Sequence, residues 1–573
     1  MPDHTELKLI IAHINDTHSY FDPSSVPLTI EHNDHSYECF VSVGGFARIK
    51  TRLEQLREEA REKGRTFATF HAGDCFQGSL YFSVFKGRAN IDLLNALSLD
   101  AMALGNHELD LGNLPVAKLA QGTRFPLLCG NWDLSAEDSN KPLRLSDNPS
   151  VISYDSNRDC ANWITLGDGN EKVAVFGLSM DKMQDISSPD KDTPFKPTLE
   201  VARNTVAQIN QNGINKIILL SHMGYDADQF IAEQVEGIAL IIGGHSHVLQ
   251  GDFTALGLEK ADDYGIKIND TFIVQSGLYA KALGHCEINF AADGTITQFT
   301  GQNELLVGRQ MFADVDRNSP LDAPEWKAIK EKIDSHPLVK RVVKDQSVVK
   351  LLNDKYATQV RRLHQEKIAF SERRLRHVRL PDSQGGSEVA PLVAQAFYES
   401  AYQRGYQVDF ALHNAGGVRC SLEEGWISHA DIMGGVLPFA IPIGIYTVSG
   451  VTLKAVLEGA INNATSNGCI GTGEGSYPYG YGLHFDYVAQ NAENERIENL
   501  KILKDDKWVS VQNNALYVGV SSIYTMGGKE GYDAILETQA PSVTLDITMG
   551  ESFVEYLKGL GQVTSSSGAS QHR

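Results

Sequence analysis

Short apolar runs recur along the first half of the chain, separated by stretches of helical character. Residues 7–14 predict a strand, and GGFARIKTRLEQLREEAREKG (44–64) predicts a helix. A strand over 66–70, a helix over 88–98 and a strand over 99–104 follow. This βαβαβ order implies mostly parallel pairing with right-handed crossovers. Strand 173–178, helix 199–212 and strands 216–221 and 238–242 continue it. Past Gly244 the texture changes. TFIVQSG (271–277) and CEINFAADGTITQFTG (286–301) read as strands, the latter a hairpin about a DG turn.

Residues 321–367 are charged and helix-like, and are expected to form a connecting segment rather than a core element. A second α/β unit is expected from 368 to 561. It contains a helix over 387–405, a strand over 408–419 that enters a Gly turn, and a helix over 450–461. Residues 562–573, polar and small, are expected to be a disordered tail. At 573 residues the chain exceeds what one core organises, so two large domains are predicted, with no tandem repeat.

Composition narrows the function classes. The 42% hydrophobic and 21% charged fractions are those of an ordinary globular protein, and no apolar run is long enough to span a membrane. The net charge of −21 repels nucleic acid and anionic membrane, which argues against a nuclease or nucleic-acid binder. The N-terminal MPDHTELKLI shows no signal peptide. The sequence as it stands reads as cytoplasmic, with periplasmic or secreted placement following if a leader was removed. The seven Cys form no CxxC pair, which disfavours a thiolate zinc site, and their odd number favours reduced thiols.

Candidate chemistry concentrates behind the apolar runs. IIAHINDTH carries Asp16 and His18, FATFHAGD carries Asp74, and AMALGNHELD carries Asn106, His107 and Asp110. IILLSHMG carries His222, and ALIIGGHSH carries His245 and His247. A single His at a strand end is usually a satisfied polar residue. Five such motifs on consecutive strands place acids, an amide and imidazoles along one sheet edge, where open α/β sheets bind ligands. The mixed O/N set suits borderline divalent ions, and a pair of them clamps the oxygens of a displacement at phosphorus. Alternation along a strand predicts that Asp16 and His18 share a face, as do His245 and His247, one for each ion. Asp74 is the natural bridge. His107, next to Asn106, should point elsewhere, oriented by Asp110. The same alternation turns His13 and His71 away from the ligand face.

INDTH, GD, GNHELD, SHMG and GGHSH, in this order, resemble the calcineurin-like metallophosphoesterases, and INDTH and GNHELD resemble their 5′-nucleotidase branch, which includes UDP-sugar hydrolases. The resemblance implies an α/β protein. Its first domain, 1–320, would be a dimetal metallophosphoesterase β-sandwich flanked by helices. A helical linker, 321–367, and a second α/β substrate-binding domain, 368–561, would follow. It implies a first ion on Asp16, His18, Asp74 and His247, and a second on Asp74, Asn106, His222 and His245. The ions would be Zn, Mn, Co or Fe, with His107 and Asp110 as the catalytic dyad. Several members carry an amide at the position of His247, a departure that bears on metal preference.

In the second half, HNAGGVR (413–419) places Asn414 and Arg419 about a Gly turn, PFAIP places Phe439 in a loop, and VSSIYTMGGKEGYD (520–533) places Tyr524 before another Gly turn. An Arg that forks onto an anion and two aromatics that sandwich a base suit a nucleotide. NAGGVR, LPF and YTMGGKEGY resemble the C-terminal segments of the 5′-nucleotidases. Ungapped, Tyr524 falls on the family's stacking aromatic and Glu530 on its ribose-binding acid. Aligning the GG pair instead puts Ile523 and Lys529 there, and the ungapped version keeps both residue types. Arg376 and Arg379 match the family's Arg residues before the first helix of this domain. The resemblance therefore implies a phosphohydrolase acting on nucleoside 5′-monophosphates, with UDP-sugar and nucleoside di- or triphosphate bonds as further substrates. The alternative is a 2′,3′-cyclic nucleotide phosphodiesterase/3′-nucleotidase, or another phosphoester hydrolase, on the same core. The expected partner is a small-molecule nucleotide, not nucleic acid or membrane, for a monomer or homodimer.

Overall fold

The computed structural model describes residues 7–168, 171–324 and 326–564. The chain divides into two compact units. One comprises the residues up to 77 with 85–183 and 189–357; the other comprises 78–84, 184–188 and those from 358 on.

The first unit is a two-sheet sandwich. In one sheet Leu7–Ile14 pairs in parallel with Thr66–His71, which is followed by Ala101–Ala103 and Leu127–Cys129. On its other side Leu7–Ile14 pairs antiparallel with Ala282–Phe290. The second sheet runs Val173–Ser179, Lys216–His222, Leu240–Ile242 and Thr271–Val274, all parallel. Leu9, Ile11, Phe70 and Leu128 of the first sheet share one core with Val175, Ile218, Ile242 and Val274 of the second. Helices cover the outer faces. Thr198–Gln211 buries Val201, Ala202, Val206 and Ile209 among Phe176, Ile217 and Leu219. Strands covered on both faces need unbroken apolar runs. Lys216–His222 is accordingly buried throughout, and in Leu7–Ile14 only Lys8 is exposed.

Three features depart from the sequence expectation. A hairpin of Ser24–His32 and His35–Val43 was not anticipated. Its two-residue turn, Asn33–Asp34, has φ of 50° and 61°, the left-handed pair that Asn and Asp tolerate best after Gly. The segment 321–357 is not a linker but part of the first unit. Ile329 and Ile333 of the helix Trp326–Ser335 pack on Val26, Leu28 and Ile30 of that hairpin, and Val339–Arg341 adds a parallel strand beside Ile296–Phe312. The DG hairpin is longer than expected, joining Ala282–Phe290 to Ile296–Phe312.

The second unit is built on a mixed sheet in the order Pro478–Tyr481, Phe410–Asn414, Leu516–Ser522, Pro442–Ser449, Val543–Thr548. Its helices include Val389–Gln403, Gly450–Thr465 and Met549–Leu560. Ser449 caps the second through Thr452 N, and Thr548 with Glu551 forms a capping box on the third. Gln562–Val563 pairs with Lys367–Ser371, so the expected tail does not begin at 562; residues 565–573 lie outside the described residues.

Candidate metal centre and nucleotide cluster

Parallel strands deliver their carboxyl ends to one edge, and the five motifs follow there. The backbone reason for their convergence differs from the one expected. The strands stop at Ile14, His71 and Ile242, so Asp16, His18, Asp74, His245 and His247 lie in loops rather than on alternating strand positions. All five have left-handed φ, 48°, 46°, 57°, 71° and 60°. Such conformations in non-glycine residues cost roughly 1–3 kcal/mol each and cluster at functional sites. Two glycines permit the close approach: a Cβ on Gly73 would lie 2.5 Å from His222 Nδ1, and one on Gly105 would lie 2.2 Å from Asp74 Oδ1.

The side chains converge in overlapping trios whose donor atoms lie within 4.8 Å of one another: Asp16, His18 and His247; His18, Asp74 and His107; Asp74, His222 and His245. His18 Nε2 faces His247 Nε2 at 3.2 Å, and His247 Nε2 lies 3.3 Å from Asp16 Oδ1. His222 Nε2 is 3.1 Å from Asp74 Oδ2, and His245 Nδ1 is 3.0 Å from Asn106 Oδ1. His222 Nδ1 is bound to Ala72 O at 2.7 Å, which leaves the buried Nε2 aimed at the Asp74 carboxylate. A backbone carbonyl on one ring nitrogen is the usual way to present the other to a metal. Carboxylate, amide and imidazole donors, with that inward-facing nitrogen, fit borderline divalent ions.

Charge follows this packing. Burial pushes His18 and His245 down to about 4, so both are neutral donors at pH 7. Burial opposes the Asp74 carboxylate too, but His222 and His107 hold it well below the usual range. His107 is different. Burial disfavours its cation, yet Asp110 and Asp74 outweigh this and raise it to about 9, with Nδ1 held by Asp110 Oδ2 at 2.7 Å. His13 and His71 stay outside the trios, as predicted. His13 Nε2 meets the Tyr264 hydroxyl at 2.7 Å, and His71 Nε2 meets Thr17 Oγ1 at 2.9 Å.

Two contributors carry no distinctive signature in the sequence. Asn15 donates to Asp16 Oδ2 at 2.7 Å while its own Oδ1 accepts from Ser276. Glu108 is 1% exposed and takes backbone N–H groups from two motif loops. Both sit inside the motifs as neighbours of conspicuous residues, and only their burial marks them.

In the second unit, Asn414, Arg419, Phe439, Tyr524 and Glu530 come together around the turn 415–417. Arg419 Cζ lies 5.5 Å over the Phe439 ring, and Asn414 Nδ2 lies 3.5 Å from Glu530 Oε2. Burial pushes the Glu530 carboxyl up against the pull of Arg379, Asn414, Arg419 and Tyr524. Glu530 thus faces the cluster, with Tyr524 within its reach. Lys529 instead donates to Gln184 O. Arg376 is not brought in. Its guanidinium pairs with Asp382, and its amide donates to Glu388.

The comparisons with known proteins agree with this layout. Residues 9–249 match the calcineurin-like phosphoesterase family, and residues 366–537 match the 5′-nucleotidase C-terminal domain. A probable 5′-nucleotidase of Treponema pallidum is 30% identical over 583 residues, covering 96% of this chain and 92% of that protein. The chain belongs to the 5′-nucleotidase family. An NAD 5′-nucleotidase of Haemophilus influenzae is 28% identical across 97% of this chain and 91% of its own. The crystal structure of a 5′-nucleotidase precursor from Thermus thermophilus superposes with a TM-score of 0.71 at 26% identity, covering 97% of each chain. As a metallophosphoesterase of this family the protein binds divalent metal. No helix among the described residues is long and apolar enough to cross a membrane.

Proposed function

We propose that this 5′-nucleotidase releases phosphate from nucleoside 5′-monophosphates, using two divalent ions drawn from Zn, Mn, Co and Fe. The observation that carries the reading is the set of overlapping donor trios joined through His18 and Asp74. Asp16, His18, Asp74 and His247 would hold one ion, and Asp74, Asn106, His222 and His245 the other. When bound, the ions supply Lewis-acid charge to the phosphoryl oxygens and make water a better nucleophile.

The remaining work belongs to side chains. Asp110 accepts from His107 Nδ1 and sustains the imidazolium, and His107 would donate Nε2–H to the phosphoryl or leaving-group oxygen. In the second unit, Phe439 and Tyr524 would stack on the base, Glu530 and Asn414 would take ribose hydroxyls, and Arg419 with Arg379 would bind anionic oxygen. The name of the Haemophilus relative motivates one further substrate, a dinucleotide pyrophosphate such as NAD.

A Mn-supplemented panel of AMP, UDP-glucose, NAD and 2′,3′-cyclic AMP tests the reading. AMP should release inorganic phosphate with the highest kcat/KM. Preference for the cyclic substrate would replace the proposal with a phosphodiesterase.

A further inference from the structure

We propose that Glu108 is a positioning residue whose single carboxylate fixes both the Asp74 loop and the Asn106 loop, and so sets how tightly the centre binds metal. The inference rests on the metal reading above.

The two carboxylate oxygens of Glu108 collect four backbone N–H groups. Oε2 accepts from Gly105 at 2.7 Å and Asp74 at 3.0 Å; Oε1 accepts from Cys75 at 2.7 Å and Phe76 at 3.0 Å. A carboxylate offers about four lone-pair sites, so its accepting capacity is used in full. These N–H groups belong to two different strand-end loops, one carrying Asp74 and the other Asn106 and His107.

The loops also touch directly. His107 N donates to Asp74 Oδ1 at 2.9 Å, and only a glycine fits at 105 beside that oxygen. Asp74 is held with φ of 57°, a conformation its own backbone disfavours. The carboxylate of Glu108 opposes that tendency at the Asp74 amide itself. It is buried together with the Asp74 carboxylate. A residue serving only to fill space there would be apolar. Four N–H groups shared between two oxygens require both oxygens to accept, and a glutamine has one carbonyl oxygen with an NH2 in place of the other.

Glu108→Gln keeps the volume but presents an NH2 to two of the four donors. Outer partners of metal ligands typically govern affinity by about 10–100-fold. Titration calorimetry with Mn, well below the unfolding midpoint of each protein, should show the Kd of E108Q raised by about that factor. Glu108→Asp, which keeps the charge on a shorter stem, should also weaken binding and serves if E108Q does not fold. A folded E108Q or E108D with the wild-type Mn affinity overturns the proposal, whatever its unfolding midpoint, because the residue would then support the fold alone. If the wild type binds no Mn, Zn, Co or Fe, the metal reading fails first and takes this inference with it.

Discussion

His107 and His222 both carry raised pKa values, about 9 and about 10, but for different reasons. In each, burial opposes the proton and carboxylates restore it. For His222 those carboxylates are Asp74 and Asp16, themselves proposed donors to the ions, so a bound ion would replace the proton. For His107 the leading partner is Asp110, which belongs to none of the donor trios; His107 itself falls in the trio with His18 and Asp74, and the proposal gives it a proton rather than an ion. A cationic imidazole cannot ligate. His107→Ala should therefore keep the full metal content by elemental analysis while lowering kcat on AMP by about 10²-fold or more. Loss of one ion would place His107 among the ligands. The proposed ligands are legible in the sequence because Asp, Asn and His behind apolar runs stand out by type. Glu108 and Asn15 are not, because a Glu beside a His and an Asn before an Asp read as ordinary turn polarity until distant contacts bury them.

Elements show a second level of organisation, in which helix and strand are joined by charge. Arg52 on the helix Phe46–Glu62 forks onto Glu304 of the strand Ile296–Phe312, with Nε at 2.6 Å and Nη2 at 3.0 Å. His285 on the neighbouring strand approaches the same carboxylate at 3.2 Å. Burial opposes the Glu304 charge, but His285 and Arg52 outweigh it and hold the group at about 2, against 4.5. A depressed carboxyl stabilises the fold above its unfolded value and loses that contribution as pH falls through its folded value. The window is thus about pH 4.5 down to 2, and the contribution is on the order of 3 kcal/mol. Thermal unfolding should show wild type well above Glu304→Gln at neutral pH, the gap narrowing across that window. A gap constant from pH 7 to 2 would mean that the carboxylate charge is not what joins these elements.

The segment 321–357 carries a linker-like pattern for a physical reason. Its charged face is real, but Ile329 and Ile333 suffice to seat the helix Trp326–Ser335 in the core, and two residues make too short a pattern to separate a packed helix from a linker. The hairpin Ser24–His32/His35–Val43 was hidden similarly, since Asn33–Asp34 is a turn signal only when flanking alternation is noticed. Long buried strands such as Lys216–His222, by contrast, announce themselves by unbroken apolar runs.

For the whole molecule, the two compact units divide the proposed labour: donors for metal lie in the first, and the Asn414–Arg419–Phe439–Tyr524–Glu530 cluster lies in the second. The division yields a test that separates recognition from chemistry. Stacking on an aromatic is worth about 1–3 kcal/mol per base. Tyr524 also borders Glu530, so its ring is held beside the group proposed to take the ribose. Tyr524→Ala should raise KM for AMP by roughly tenfold or more, as 1.4 kcal/mol is tenfold in affinity. Hydrolysis of bis(p-nitrophenyl) phosphate, which has no base to stack, should change little, since the metal donors of the first unit are untouched. Equal losses on both substrates would indicate damaged folding. An unchanged KM for AMP would remove Tyr524 from base recognition and turn attention to Ile523, the residue that the alternative alignment places there.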